Sequence, residues 1–182
     1  GLVDIDISDQ KDLPAVYKEV MEELDHQKYA LRRRCVAWFT GKKGFRIGFL
    51  PGEEGEEEET FLKPLWKKTG SAYRPVLKSP YLTKLVDESI YVVGHGVKFD
   101  LMHHPVADRL PVFLTGDADS DLAKILGFYP TSTSELCAIC GFWIELFTVL
   151  EVILNGKKDG KEGGEPLLSL SRVMTPKTME IH

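Results

Sequence analysis

An α/β domain, with a mixed β-sheet that includes an antiparallel hairpin and has flanking helices, is the fold class this sequence predicts. Three observations carry that prediction. Two β-rich runs, residues 35–40 and 45–50, flank the link Gly41-Lys-Lys-Gly44, and a short glycine-bearing link between such runs is a hairpin signal. Further along, short β-rich runs alternate with stretches whose apolar residues recur at helical spacing, the pattern of a sheet with crossover helices. Finally, Ser132-Thr-Ser-Glu135 forms a capping-box pattern at the mouth of a long apolar run.

Taken in order, residues 3–7 alternate and read as a short strand. Residues 9–28 read as a helix, with Asp12 as cap, Pro14 in the first turn and a stripe of Leu13, Val16, Val20 and Leu24. The hairpin follows, with Phe45, Ile47 and Phe49 on one face of its second strand. Residues 52–60 hold six of the chain's 28 acidic residues and read as a solvated loop. Residues 60–68 read as a strand or a short helix, residues 70–80 as connection, and residues 81–88 as a helix. Residues 90–93 then read as a strand, 97–104 as a helix, 110–114 as a strand and 119–126 as a helix. Residues 135–154 read as the longest helix, apolar nearly all round and hence buried on more than one face, with Trp143 and Phe147 in the core.

The 182 residues fit one domain. Residues 1–154 are expected to form it, 155–166 a flexible linker, and 167–182 a tail or an added strand. Hydrophobic residues make up 43% and charged residues 28%, ordinary values for a globular chain. The net charge of −5 comes largely from the acidic run, which argues against a strongly basic nucleic-acid binder. Three cysteines do not make a disulfide framework, so an intracellular, reducing compartment is expected. The first ten residues have neither the basic region nor the apolar run of a secretory signal. Residues 136–154 are long enough to span a bilayer, but Glu145 and Glu151 would each cost about 2.5–3.5 kcal/mol near its centre, so a buried helix is expected instead.

The most specific motif is Pro80-Tyr-Leu-Thr-Lys-Leu-Val-Asp-Glu-Ser-Ile-Tyr-Val-Val-Gly-His-Gly-Val-Lys-Phe-Asp100. It resembles the second carboxylate motif of the DEDD superfamily of 3′–5′ exonucleases, of the type found in family A DNA polymerases. Val93, Gly94, His95, Lys98, Phe99 and Asp100 match that motif, and Gly96 replaces its usual Asn. The hairpin from Val36 to Gly41 resembles the first motif, with Phe39 and Gly41 where the family carries Asp and Glu. Residues 111–115 resemble a later strand of the family, with Leu114 replacing its Asp. The helix after Ser132 matches the final motif helix but holds no Asp, Tyr or His.

The resemblance implies a ribonuclease-H-like fold, and the losses imply that the chemistry is gone. The family holds two divalent ions with four carboxylates, the ions about 3.5–4 Å apart; a lone Asp100 cannot hold them. A catalytically degenerate domain that binds nucleic acid, or braces a nucleic-acid-processing complex, is therefore expected, with no cofactor and no catalytic or metal-binding residue assigned. Arg32, Arg33, Arg34, His95 and Lys98 are its candidate nucleic-acid contacts. One alternative is a protein-interaction module on an unrelated α/β fold. Another is an active Mg²⁺-dependent nuclease that uses Asp4, Asp6, Asp100, Asp117, Asp119 or Asp121; Asp4-Ile-Asp6 has the alternation that puts two carboxylates on one strand face.

Other residues read more plainly. His95, Asp100, His103 and His104 do not make a metal site, because adjacent residues of a helix point about 100° apart. Cys137-Ala-Ile-Cys140 lies inside an apolar helix and reads as buried small hydrophobes. Asp117, Asp119 and Asp121 read as helix-start acids favoured by the helix dipole.

Overall fold

The computed structural model describes residues 2–31, 34–50, 66–69, 72–91 and 107–156, with side chains except at 66–69, 72–75 and 149–156. Its elements run β1 (Leu2–Asp6), α1 (Leu13–Asp25), β2 (Arg34–Phe39), β3 (Gly44–Leu50), β4 (Trp66–Thr69), β5 (Ala72–Pro75), α2 (Pro80–Leu85), β6 (Val112–Phe113), α3 (Ala118–Ile125) and α4 (Thr133–Gly156). The acidic run, the segment from Val92 to Val106 that includes Asp100, the linker beyond Gly156 and the tail lie outside the described residues.

The predicted hairpin forms from β2 and β3, paired antiparallel from Arg34 opposite Leu50 to Phe39 opposite Phe45. Thr40 closes it, its N–H donating to the Gly44 carbonyl at 2.9 Å. Gly41 takes a φ of 96°, a left-handed conformation that glycine adopts without a Cβ clash. β1 adds to the free edge of β3 and β6 to that of β2, giving the order β1-β3-β2-β6.

Every described pairing is antiparallel, whereas the sequence predicts a mixed sheet. Part of the difference lies at Ile90, read from sequence as the start of a strand. Glu88–Tyr91 form a 3₁₀ turn instead, held by Asp87 accepting the Ser89 N–H at 2.9 Å. Among the described residues, the outer edge of β1 gains a bridge between Ile5 and Val86, backed by the Asp87 N–H on the Asp4 carbonyl. A second departure is the separate β4–β5 hairpin, which replaces the connection expected at residues 70–80.

Strand alternation sorts residues onto two faces. On one, Val3, Ile5, Ala37, Phe39, Phe45, Ile47 and Phe49 meet Val16, Tyr17, Val20 and Leu24 of α1, Leu82 of α2 and Ile125 of α3 in the main core. The predicted stripe of α1 is thus buried. Its predicted cap is not: the Asp12 side chain makes no capping bond, and Asp9 caps the preceding 3₁₀ turn through the Lys11 N–H. A π-helical turn, His26–Ala30, extends α1.

A buried carboxylate fastens α1 to the start of α2. Glu23, 1% exposed, accepts from Gln27 Nε2 at 2.6 Å and from the Ser79 N–H at 3.0 Å. Ser79 in turn caps α2 by accepting the Leu82 N–H at 3.2 Å.

On the opposite face, Trp38 and Phe142 pack with ring centroids 5.3 Å apart. Gly48 makes this possible, since a Cβ there would stand 2.4 Å from the Phe142 ring. Phe142 reaches the face from α4, whose start is the capping box read from sequence. The Ser132 N–H and hydroxyl donate to Glu135 Oε2 at 2.7 and 2.8 Å, and the Glu135 N–H returns to Ser132 Oγ at 3.4 Å.

Glu135 gives the capping box a pH dependence. Burial raises its pKa, but the Lys124 ammonium at 2.6 Å and the two Ser132 donors outweigh burial and hold it below the usual Glu range. The folded state therefore binds this proton less readily than the unfolded chain. The contribution is present above the unfolded pKa and is lost as pH falls through the lower folded pKa. A melting series from about pH 7 to about pH 3 should show a smaller acid-induced loss in Glu135→Gln than in the parent; equal losses would remove this role.

The chain divides into two compact units, Gly1–Phe142 and Trp143–His182. In the second, Trp143 is buried and stacks on the half-buried Phe147 at 5.9 Å. α4 is not buried all round as its composition suggests. Ile139, Phe142, Trp143 and Leu146 are buried, while Cys137, Ala138, Gly141 and Ile144 are exposed. The cysteines are therefore not core residues: Cys137 is exposed and Cys140 half-buried. A step of about 100° per residue carries Cys137 far from the buried line through Ile139 and Phe142. Among the described residues, no helix is long and apolar enough to cross a membrane.

Candidate functional site

The acids of β1 are the first candidates, because alternation places Asp4 and Asp6 on the face opposite the main core. Both meet a cation. Asp4 accepts from Arg46 Nη2 at 2.6 Å, with both side chains largely buried, and Asp6 accepts from Lys43 Nζ at 2.6 Å in a more exposed pair. Register explains the contacts, since Arg46 lies directly opposite Asp4. Burial pushes the Asp4 pKa up, against the Arg46 guanidinium, which lowers it; Asp6 and Asp87 add to the rise. The hydrogen bond to Asp6 holds the Lys43 ammonium to a higher pH than usual. The geometry is that of ion pairs across a sheet.

Asp121 is the second candidate and departs most from its sequence reading. It is fully buried, where a helix-start acid in solvent is expected. Its Oδ2 accepts the Tyr17 hydroxyl at 2.8 Å, the Thr115 N–H at 2.9 Å and the Gly116 N–H at 3.1 Å. Its Oδ1 accepts the Thr115 hydroxyl at 2.8 Å. Burial, and then the hydrogen bond to this carboxylate, raise the Tyr17 pKa well above the usual tyrosine range. Asp121 thus joins α1 to the loop between β6 and α3. Asp117 does fulfil the helix-start role, capping α3 through the Ser120 N–H at 3.2 Å, and Asp119 is exposed.

The third candidate was not visible in the sequence. A cleft of about 420 Å³ opens between the loop at Asp108–Arg109 and the end of α3, with Phe39 and Val112 among its lining residues. Arg109 is fixed at one wall by Nη1 donating to the Ile125 carbonyl at 2.8 Å. Gly127, at a φ of 86°, passes so close that a Cβ there would meet the guanidinium at 2.9 Å. Phe128 and Tyr129, 73% and 63% exposed, also line the cleft. The hint in the sequence is the run Leu126-Gly-Phe-Tyr-Pro130, which places large apolar groups after a helix end, where a connection usually carries polar ones.

Of the candidate nucleic-acid contacts, Arg34 is exposed at the start of β2. Arg32, Arg33, His95 and Lys98 lie outside the described residues, as do Asp100, His103 and His104. The structure does place Phe39, Leu114 and Gly41, the positions where the resembled motifs carry carboxylates. Phe39 and Leu114 are both in the main core, and the Leu114 N–H donates to the Ala37 carbonyl at 3.0 Å. Gly41 lies in the hairpin turn. Among the described residues, no group of three or more His, Cys, Asp or Glu side chains is placed to hold a metal ion. Comparisons with protein-family models, with curated proteins and with solved structures find no match to this chain.

Proposed function

We propose that this chain acts by binding and not by catalysis, as a degenerate exonuclease-like domain of ribonuclease-H-like descent that holds nucleic acid or braces a nucleic-acid-processing complex. The observation that carries this reading is the burial of Phe39 and Leu114. Where the resembled family needs carboxylates facing two metal ions, this chain has apolar side chains packed in its main core. Asp4, Asp6 and Asp121 supply no replacement, because their oxygens are held by Arg46, Lys43, Tyr17, Thr115 and Gly116. A scaffold can persist without its chemistry, because fold and site are separable.

The contacts in this reading are Arg32, Arg33, Arg34, His95 and Lys98, with Phe128 and Tyr129 available for base stacking. The test is incubation of labelled single- and double-stranded DNA and RNA with Mg²⁺ or Mn²⁺, followed by anisotropy titrations at rising salt. The expected result is no 3′ shortening, with binding that weakens as salt rises and weakens further in Arg34→Glu. Stepwise shortening that disappears in Asp100→Ala would establish an active nuclease and overturn the proposal.

The second reading is a protein-interaction module, favoured by Phe128 and Tyr129, 73% and 63% exposed, lining one cleft. Exposed apolar patches of this kind mark binding surfaces. An absence of nucleic-acid binding at low salt would move this reading ahead.

A further inference from the structure

The cleft beside α3 holds one positive charge that the fold does not neutralise. Its charged lining residues are Asp108, Arg109 and Lys124. Lys124 is paired with Glu135 at 2.6 Å. Arg109 is exposed, and among the described residues no carboxylate stands within ion-pair distance of it. We propose that this cleft binds a small planar aromatic anion, whose charged group is taken by Arg109 and whose ring packs against Phe128 and Tyr129.

The setting of Arg109 suits an anion. Its Nη1 donates to the Ile125 carbonyl at 2.8 Å, so the end of α3 holds the guanidinium in place. Gly127 leaves room for it, since a Cβ there would stand 2.9 Å from Nη2. The bond to Ile125 takes a single N–H and leaves the rest of the guanidinium fork for a ligand. That fork matches the paired oxygens of a carboxylate or a phosphate. A side chain already held in position loses less freedom when its ligand arrives.

The rest of the lining suits a ring. Phe39, Val112 and Ile125 are buried and add apolar surface to the cleft. Phe128 and Tyr129 leave most of their surface in water. Covering such surface is favourable, and aromatic faces pack well against a second ring. The volume of about 420 Å³ falls within the roughly 300–1,000 Å³ of small-molecule pockets. It has room for a ring and its charged group, and not for a folded partner. The inference does not rest on the nucleic-acid reading. It shares Phe128 and Tyr129 with that reading, but Arg109 is not among the contacts there.

The test is equilibrium dialysis of the full chain against naphthoate, whose own fluorescence reports its concentration. The expected result is saturation at one naphthoate per chain. Naphthalenemethanol, with the same ring and no charge, should bind about tenfold more weakly, because it lacks the charge-assisted bonds to Arg109. Arg109→Gln, and Phe128→Ala combined with Tyr129→Ala, should each weaken naphthoate about tenfold while melting as the parent does, since all three residues are exposed. Arg109→Lys keeps the charge and loses the fork, so it should fall between the parent and Arg109→Gln. Competition by adenosine monophosphate separates two sources of the same chemistry: displacement of naphthoate marks a ring-bearing phosphate as a ligand, and no displacement restricts the site to carboxylates. The inference is overturned by an absence of saturable binding, by equal binding of the neutral alcohol, or by affinity unchanged in Arg109→Gln or in the double alanine variant. Naphthoate binding without nucleic-acid binding would overturn the nucleic-acid reading alone. Nucleic-acid binding without naphthoate binding would overturn this inference alone.

Discussion

Asp121→Ala is expected to lower the unfolding free energy by about 3–5 kcal/mol, a large share of the roughly 5–15 kcal/mol of a typical domain. The cost arises from what the carboxylate leaves behind. The Thr115 and Gly116 N–H groups and the Tyr17 and Thr115 hydroxyls all point at one fully buried carboxylate. Removing it leaves these donors without their acceptor, at about 1–3 kcal/mol for each one that stays buried and unpaired. Tyr17→Phe provides the calibration. It deletes one donor and keeps the others satisfied, so a loss of about 1–2 kcal/mol is expected. Asp121→Asn should stay expensive, because its amide turns a donor toward groups that are themselves donors. Urea denaturation of the three variants checks the order. A loss below about 1 kcal/mol for Asp121→Ala would mean that water replaces the carboxylate, and the network would not be what ties α1 to the β6–α3 loop.

The same residue shows where sequence reading stops. In Asp117-Ala-Asp119-Ser-Asp121, the three acids look alike, and each suits the first turn of a helix. Asp117 is the cap and Asp119 is exposed, yet Asp121 is buried because Tyr17, 104 positions away in sequence, stands over it. That distinction depends on tertiary packing. What local chemistry decides was readable. The Ser132–Glu135 box opens α4 because its bonds span three residues, and the β2–β3 hairpin forms because Gly41 permits the turn its alternating strands need.

Sheet order was less readable for the same physical reason. β1 pairs with β3 across an intervening helix and strand, and no property of residues 2–6 alone selects that neighbour. The cysteine face of α4 was misread because hydropathy alone cannot say which side of a nearly all-apolar helix meets the sheet. The observed answer follows from Phe142, whose ring lies over Gly48. At the candidate site, Phe128 and Tyr129 fall in a connection, where local sequence signals turn chemistry and not the cleft that folding builds around them.

Phe45→Ala is expected to cost about 3–5 kcal/mol, enough to bring a chain of ordinary stability near its unfolding threshold. Phe45 is fully buried on the hairpin's inner face, next to its turn, 5.4 Å from Phe39 in an edge-on contact and 6.4 Å from Tyr17. Its ring therefore bridges β2, β3 and α1. Truncation removes that packing from all three and leaves a cavity, since strands held by hydrogen bonds on both sides cannot collapse inward. Phe45→Leu fills most of the space and should cost about 1–2 kcal/mol, mainly for the lost ring contacts. Urea titrations should show the midpoint falling in this order with an unchanged slope, because the surface exposed on unfolding stays nearly constant. A midpoint unchanged in Phe45→Ala would place the stabilising core on the other face of the sheet, around Trp38 and Phe142.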